Sequence, residues 1–397
     1  MILSQPTLDF IRDHAHEDIH ALALQAPKYP DVDMPTAILQ IAGRQAAVHK
    51  VPSWAAVEGI LYPRHLSMEQ CSSETTALYK ASLLSGNTLT DLTGGLGIDC
   101  AFLAAKFKHI SYVERQEELC EIASHNFPLL GLNHITIYNE DAITHLEQMG
   151  REDCIFIDPA RRNEHGGKTV AISDCEPDVA ELEELLLSKA GRVMIKLSPM
   201  LDLSLALRTM KHTQEAHVIS VNNDCKELLL IIGETSPTHR IPIHCINLTS
   251  KGKQCFLFTR EEEAETACVY AEKVGAYLYE PNASVLKAGA FRCIAASYHI
   301  KKLHPNSHLY TSDEWIEDFP GRTFLVTGQC SFNKKEIKEC IGDIKKANIT
   351  VRNFPATVAE IRKRTKLSDG GEVYLFATTL SNDRKVLIRC SKVSSNL

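Results

Sequence analysis

The sequence predicts an α/β protein built on an open, mostly parallel sheet with a reversed last strand, preceded by a helical domain and followed by two α+β modules. Three observations carry that expectation. Short apolar runs alternate with amphipathic stretches from residue 88 to 221, one run enters a glycine turn at residues 91–97, and HVISV is followed at once by Asn222-Asn223-Asp224-Cys225 and KELLLIIG. Alternation at this spacing marks a parallel sheet covered on both faces. The last connection is too short for a crossover helix, so its two strands must be antiparallel.

The elements follow in order. At 397 residues the chain exceeds one ordinary core. Residues 1–68 read as a helical domain, with Phe10, Ile11, His14 and Ile19 in helical period and Ile38, Leu39 and Ile41 after a Pro-punctuated stretch. From Ser72, SSETTALYKASLLS predicts a helix with serine caps and Ala77, Ala81 and Leu84 on one face. Strands are expected at Leu89–Leu92, Ile110–Val113, Ile135–Tyr138, Cys154–Ile157, Arg192–Leu197 and Val218–Val221, which places the sheet domain at 69–235. ETSPTHRIP reads as a linker. Two α+β modules follow, at 236–322 and 323–397, the second from RTFLVTG through KVLIRC.

The acidic and His-bearing amino terminus lacks a secretory pattern, and no apolar run approaches the roughly 20 residues of a membrane span. The 13 cysteines are scattered singly, without a C-x-x-C pair or paired His spacing for zinc, as expected of free thiols in a reducing compartment. The expectations are a cytoplasmic location, no membrane contact and no metal. A formal net charge of -7 excludes coating of nucleic acid through the whole surface but is compatible with a local basic patch.

The strongest chemical signal is TLTDLTGGLG at 88–97, leading into a helix from Ile98 to Phe107. Gly94, Gly95 and Gly97 suit backbone passing close to a ligand, where a β-carbon would take the ligand's volume. Such a turn could equally hold a dinucleotide phosphate. Asp91 breaks the tie: a carboxylate at the end of the first strand repels a pyrophosphate and suits a cationic ammonium, such as that of S-adenosylmethionine (SAM). Glu114, ending the second strand, can accept both ribose hydroxyls of either ligand class. Asp141, after the third, is placed for an adenine amino group, and Ala142 leaves room for the ring. Each acid alone also reads as a solvated strand end; in series they mark one rim.

The fourth strand ends in Ile157-Asp158-Pro159-Ala160-Arg161-Arg162, at the edge where open sheets bind ligands. Proline fixes the turn so that Asp158 can face a target amino group, while Arg161 and Arg162 suit a phosphate or carboxylate of the substrate. The alternative is a turn whose arginines pair with nearby acids such as Glu164.

Glu69-Gln70-Cys71-Ser72-Ser73-Glu74, the glycine turn, Asp158-Pro159-Ala160-Arg161-Arg162, Ile195-Lys196-Leu197-Ser198-Pro199 and Asp224-Cys225-Lys226-Glu227 resemble bacterial class I SAM-dependent methyltransferases with a THUMP-like carboxyl-terminal domain. Tyr279-Glu280-Pro281-Asn282-Ala283, Lys287-Ala288-Gly289, Leu309-Tyr310-Thr311, and Arg362-Lys363-Arg364 before Gly370-Gly371 extend the resemblance nearly to the end. It implies a Rossmann-like sheet with a reversed seventh strand, then ferredoxin-like and THUMP-like modules. Together with the residue reading it assigns Gln70, Asp91, Thr93, Gly94, Gly95, Gly97, Glu114, Asp141 and Ala142 to the cofactor. Asp158, Pro159, Arg161, Arg162 and Lys196 fall to the reacting centre. One departure is Val351-Arg352-Asn353-Phe354-Pro355, where relatives often carry Lys-Lys-Arg-Gly.

THUMP domains imply, by analogy, a structured RNA substrate such as tRNA or rRNA. Lys334, Lys335, Arg352, Arg362, Lys363 and Arg364 lie in a basic carboxyl-terminal cluster that suits RNA, although a solvated helix face reads the same way. DPAR is similar both to motifs of enzymes that methylate exocyclic base nitrogens and to those of enzymes acting on uracil carbon five. The latter need a cysteine near the fifth strand, which here ends in Lys196-Leu197-Ser198-Pro199, so direct in-line transfer is expected. The alternatives are an RNA-binding protein with a non-catalytic SAM pocket and a small-molecule or protein methyltransferase; an NAD-dependent enzyme is disfavoured by Asp91.

Overall fold

The computed structural model describes residues 3–63, 65–161, 171–235, 240–342 and 344–393, those at 65–67 and 161 as backbone alone. They fall into two compact units, one of Met1–Gln214 with Leu228–Pro237 and one of Glu215–Glu227 with Thr238–Leu397. The helices expected as a separate domain at 1–68 thus share a unit with most of the sheet.

In the first unit, side chains of Ser4, Asp18 and Asp33 each accept a first-turn N–H and open helices Gln5–Asp13, Ile19–Ala23 and Met34–Lys50. Each such cap satisfies an orphan donor and stabilises by about 1 kcal/mol. Phe10, Leu22, Met34, Ala37 and Ile41 bury together between these helices. Two reciprocal amide pairs fix residues 61–62, one to helix Met34–Lys50 and one to the sheet region. Gln40 Nε2 donates to Tyr62 O (2.9 Å) while Tyr62 N–H donates to Gln40 Oε1 (2.8 Å), and Asn126 and Leu61 exchange the same two bonds. All four groups are buried, so breaking either pair would strand polar atoms away from water.

Seven strands follow as expected: β1 (Thr88–Asp91), β2 (His109–Val113), β3 (Ile135–Tyr138), β4 (Glu152–Ile157), β5 (Ala190–Leu197), β6 (Thr213–Val221) and β7 (Asp224–Gly233). Within the first unit the order is β3-β2-β1-β4-β5-β7. Leu89 lies beside both Ile110 and Cys154, and Ile155 beside Val193, in parallel register, whereas β7 is antiparallel to β5 with Leu230 opposite Ile195. Ile155, Val193, Ile195 and Leu230 are wholly buried, as strands covered on both faces require. The reversal is made by Asn222 and Asn223 at φ 50° and 67°. Two successive left-handed residues suit a two-residue hairpin turn, and Asn tolerates that conformation.

In the second unit β8 (Ile243–Thr249) pairs parallel with β6 and antiparallel with β9 (Gly252–Phe258). A further sheet contains β10 (Tyr277–Pro281), β11 (Lys301–Lys302), β12 (Tyr310–Ser312), β13 (Gly321–Ser331), β14 (Asn348–Arg352), β15 (Val373–Thr379) and β16 (Lys385–Lys392), in the order β11-β12-β10-β13-β16-β15-β14. Strands from both expected modules therefore share one sheet, while β8 and β9 of the first module continue from β6 instead. Strand β13 joins the two modules: Phe324 opposes Leu278 of β10, and past a bulge between Val326 and Gly328, Cys330 opposes Leu387 of β16. Leu278, Leu309, Phe324 and Phe376 share one apolar cluster, and Ile337, Ile341, Ile361 and Leu375 another. All 13 cysteines are free. No helix among the described residues is long and apolar enough to cross a membrane.

Candidate active site

The glycine turn is held by backbone carbonyls and by one carboxylate. Gly94 N–H donates to Val113 O (2.8 Å), Gly95 N–H to Glu114 Oε2 (2.9 Å) and Gly97 N–H to Gly94 O (2.8 Å). The glycines serve different ends. A β-carbon on Gly94 would stand 2.2 Å from the Tyr112 ring, and one on Gly97 2.8 Å from Phe127, so these two are small because protein packs against them. Only Gly95, at φ +55° with nothing nearer than Thr93 O at 3.8 Å, leaves the open space that ligand approach was expected to require.

The expected acids are placed unequally. Asp91 is 1% exposed and accepts Thr93 N–H at 3.1 Å. Burial pushes its carboxyl well above the ordinary range; the Thr93 bond opposes this, while Asp99, Asp158 and Glu114 push it further up. Glu114 is buried beside it and accepts from Gly95 N–H and, at 2.8 Å, Gln116 N–H. Asp141 is exposed and caps helix Ala142–Gln148 through Ile143 and Thr144 N–H, with half-buried Ala142 as the first helical residue. Its loop is tied to the rim by Asn139, whose amide donates to Glu114 O at 2.9 Å.

At the end of β4, Asp158 N–H donates to Thr93 Oγ1 at 2.6 Å, locking the Asp158-Pro159 turn onto the glycine turn. Pro159 is buried. Lys196 Nζ, from β5, lies 2.5 Å from Asp158 Oδ2 and 3.5 Å from Asp99 Oδ2. Asp99 also accepts from Ser72 Oγ (2.6 Å) and pairs with the wholly buried Lys80 at 3.0 Å. The result is a ladder of alternating charge, Lys80, Asp99, Lys196 and Asp158, that becomes more exposed toward Asp158. Burial raises the Asp99 carboxyl, but Lys80, Lys196 and Ser72 outweigh it and hold the group below its ordinary value. Burial also raises Asp158, and there Lys196 offsets only part of the rise.

Sequence reasoning did not single out Lys80 or Asp99, and took Ser72 for the start of a capped helix and part of a motif without a stated role. Lys80 lies within the helix read through Ala77 and Ala81, and Asp99 is the second residue of helix Ile98–Leu103, directly after the glycine turn. An ionic residue inside an apolar helix face was the available signal. Gln70 is exposed at the end of helix His65–Gln70. The Cys71 thiol beside it donates to Met68 O at 3.2 Å and is pushed up by burial, the opposite of an activated thiolate. Residues 160–161 form a short strand against Cys175–Glu176. The Arg161 side chain and all of Arg162 lie outside the described residues.

The basic residues expected to meet RNA divide into two groups. Lys334 and Lys335, at the start of helix Lys334–Ile341, and Lys363 are exposed, and Arg364 lies 4.4 Å over the Phe332 ring. Arg352 and Arg362 are engaged in the fold. Arg352 donates to Glu280 Oε1 at 3.0 Å while Arg322 takes Oε2, and Arg362 bonds Leu367 O, Ala347 O and Asp369.

Residues 277–320 match a model of a ferredoxin-like domain and residues 321–392 one described as THUMP domain-like. A candidate methyltransferase from Porphyromonas gingivalis W83 of known crystal structure is 35% identical, with 99% of this chain and 100% of that chain covered and a TM-score of 0.87. An rRNA methylase from Streptococcus thermophilus is 15% identical over 41% of this chain and 95% of its own (TM-score 0.29). M. capricolum TrmK, solved with S-adenosylhomocysteine, is 14% identical over 41% and 70% (TM-score 0.33). Among curated proteins none matches the chain.

Proposed function

Because the chain belongs to the class I methyltransferase family of the Porphyromonas gingivalis protein, we propose that it moves the methyl group of SAM onto a base of structured RNA. The observation that carries this reading is the bond from Asp158 N–H to Thr93 Oγ1, which puts the acceptor-side motif directly on the glycine turn.

The residues present fit SAM. Asp91 is a buried acid whose carboxyl is pushed well above the ordinary range by burial and by neighbouring acids, and an ammonium group is the partner that would stabilise its carboxylate. Glu114 offers its carboxylate to ribose hydroxyls, Gly95 leaves space beside it, and Gln70, Thr93, Asp141 and Ala142 complete the rim. SAM supplies an electrophilic methyl group on a sulfonium. The chain's own part is positioning and proton handling. Lys196 anchors the Asp158 carboxylate from β5. Its raised pKa makes Asp158 a better acceptor for the proton that a base nitrogen sheds on methylation. Cys71, with its raised thiol, is unsuited to covalent attack, which favours direct transfer. The THUMP-like match and the exposed Lys334, Lys335 and Lys363 favour RNA as the acceptor.

Incubation with tritiated SAM and total RNA tests the reading. Wild type should label RNA and Asp158→Ala should do so about 10²–10⁴-fold more slowly, the usual range for loss of a general base. Mass spectrometry of the labelled nucleosides then names the acceptor atom. Failure of the wild-type chain to label any RNA would overturn the proposal.

A further inference from the structure

Glu215, His217 and His244, all in the second unit, converge on one face of the strands β6 and β8. Glu215 and His217 are two residues apart on β6 and so project to the same side. His244 is the register partner of His217 on the parallel strand β8. The two imidazoles stack at 4.5 Å between centroids with 9° between planes. Glu215 Oε2 lies 3.6 Å from His217 Nε2 and 3.5 Å from His244 Nε2, and one ligand atom from each of the three residues falls within 4.8 Å of the others.

These separations discriminate between two uses of the cluster. A direct charge-assisted hydrogen bond from imidazole to carboxylate would sit at about 2.7–2.9 Å, clearly shorter than either distance. Tetrahedral zinc, with bonds of about 2.1 Å to nitrogen and oxygen, sets its ligand atoms roughly 3.4 Å apart. Two of the three edges therefore have the spacing of ligands around a shared ion; the third joins the stacked rings, so one imidazole turns about its side-chain torsions to bring both in-plane lone pairs onto the ion. The donor set agrees, because imidazole with carboxylate suits zinc and its first-row neighbours and poorly suits magnesium or calcium. Burial is graded: His217 is 2% exposed, Glu215 and His244 are partly open, and Leu257, opposite His244 on β9, is 58% exposed. A fourth coordination position would face that open side, the arrangement of a three-ligand site completed by water.

We propose that Glu215, His217 and His244 bind a divalent transition-metal ion of the zinc type, bridging β6 and β8 and leaving one position to solvent. The sequence reading expected no metal because it looked for paired His or Cys spacing. Here two ligands come from an E-x-H strand and the third from a later strand, so only the pairing of β6 with β8 assembles the set. The site is independent of the methyl-transfer reading.

The test uses the full chain, stripped with a chelator and titrated with Zn²⁺ by calorimetry and with Co²⁺ by absorption. One equivalent should bind, raise the melting temperature, and give cobalt d–d bands without a thiolate-to-cobalt charge-transfer band. The band matters because the chain has 13 free cysteines that could compete. His244→Ala and Glu215→Gln, both at partly open positions, should each weaken binding at least about tenfold, the lower end of what even supporting residues of metal sites contribute. Less than one equivalent on wild type, a thiolate band, or affinity unchanged in either variant would overturn the site; should one variant fail to fold, the wild-type stoichiometry and spectrum still decide.

Discussion

Lys80 Nζ stands 3.0 Å from Asp99 Oδ1, and the lysine side chain has no exposed surface. The pair links helix Glu74–Ala81 to the first turn after the glycine loop, so its integrity governs both the fold and the placement of Lys196. Removing one member of a buried pair strands the other and costs about 3–5 kcal/mol, whereas replacing both with apolar groups is often neutral. Asp99→Asn should therefore lower the unfolding free energy by about that amount in urea, and Lys80→Met with Asp99→Leu should recover most of it. A loss of under about 1 kcal/mol in the single variant would show that the pair is not the brace described.

Asp91 couples pH to cofactor binding. Its folded pKa is raised above the reference 3.8, so the folded chain binds the extra proton between the two values. The stability it contributes is complete below 3.8 and is lost as pH rises through the folded value. A bound cation lowers that folded value, so binding of SAM should release protons above the ordinary carboxylate range and tighten as pH rises there. Calorimetry in buffers of different ionisation enthalpy measures the release. Asp91→Asn should abolish it, stabilise the ligand-free protein at neutral pH and weaken SAM binding at least about tenfold, or about 1.4 kcal/mol.

Asp158 shapes the acid limb of the rate profile. Burial raises it despite Lys196, and as a base it must be ionised, so kcat/KM should fall as pH drops through a midpoint above the usual carboxylate range. Lys196→Met removes the offsetting cation and should shift that midpoint upward. A midpoint unmoved by this substitution would separate Asp158 from the titration that limits the rate.

Exposed and engaged basic residues should behave differently. Replacing Lys334, Lys335 and Lys363 with Ala should reduce the slope of log K for RNA against log salt by about 1 per residue while changing stability by no more than about 0.5 kcal/mol each. Arg352→Ala should instead destabilise the fold, because it leaves Glu280, 2% exposed, with Arg322 as its remaining guanidinium partner among the described residues. Filter binding across a salt series and thermal melts distinguish the two classes.

The strands of the sheet were legible because burial on both faces leaves continuous apolar runs, and the reversal was legible because Asn222-Asn223 leaves no length for a helix. Asp91, Glu114 and Asp158 were legible as strand-end acids. Lys196 was legible through its motif, but the ladder it belongs to was not, since Lys80, Asp99 and Lys196 come from separate elements and meet only through packing. The glycines were identified correctly as a turn but for partly the wrong cause: Tyr112 and Phe127, not a ligand, fill the space beside Gly94 and Gly97. Charge alone likewise could not tell that Arg352 and Arg362 are committed to partners within the fold.

The strand Gly321–Ser331 has a consequence for how such a protein can be divided. The ferredoxin-like match stops at 320 and the THUMP-like match starts at 321, yet the first half of this strand completes the ladder of Tyr277–Pro281 and the second half that of Lys385–Lys392. Cutting the gene at that border would leave the upstream fragment with a raw edge of unpaired amides, an invitation to self-association. The two modules should therefore be moved between proteins only as a single block.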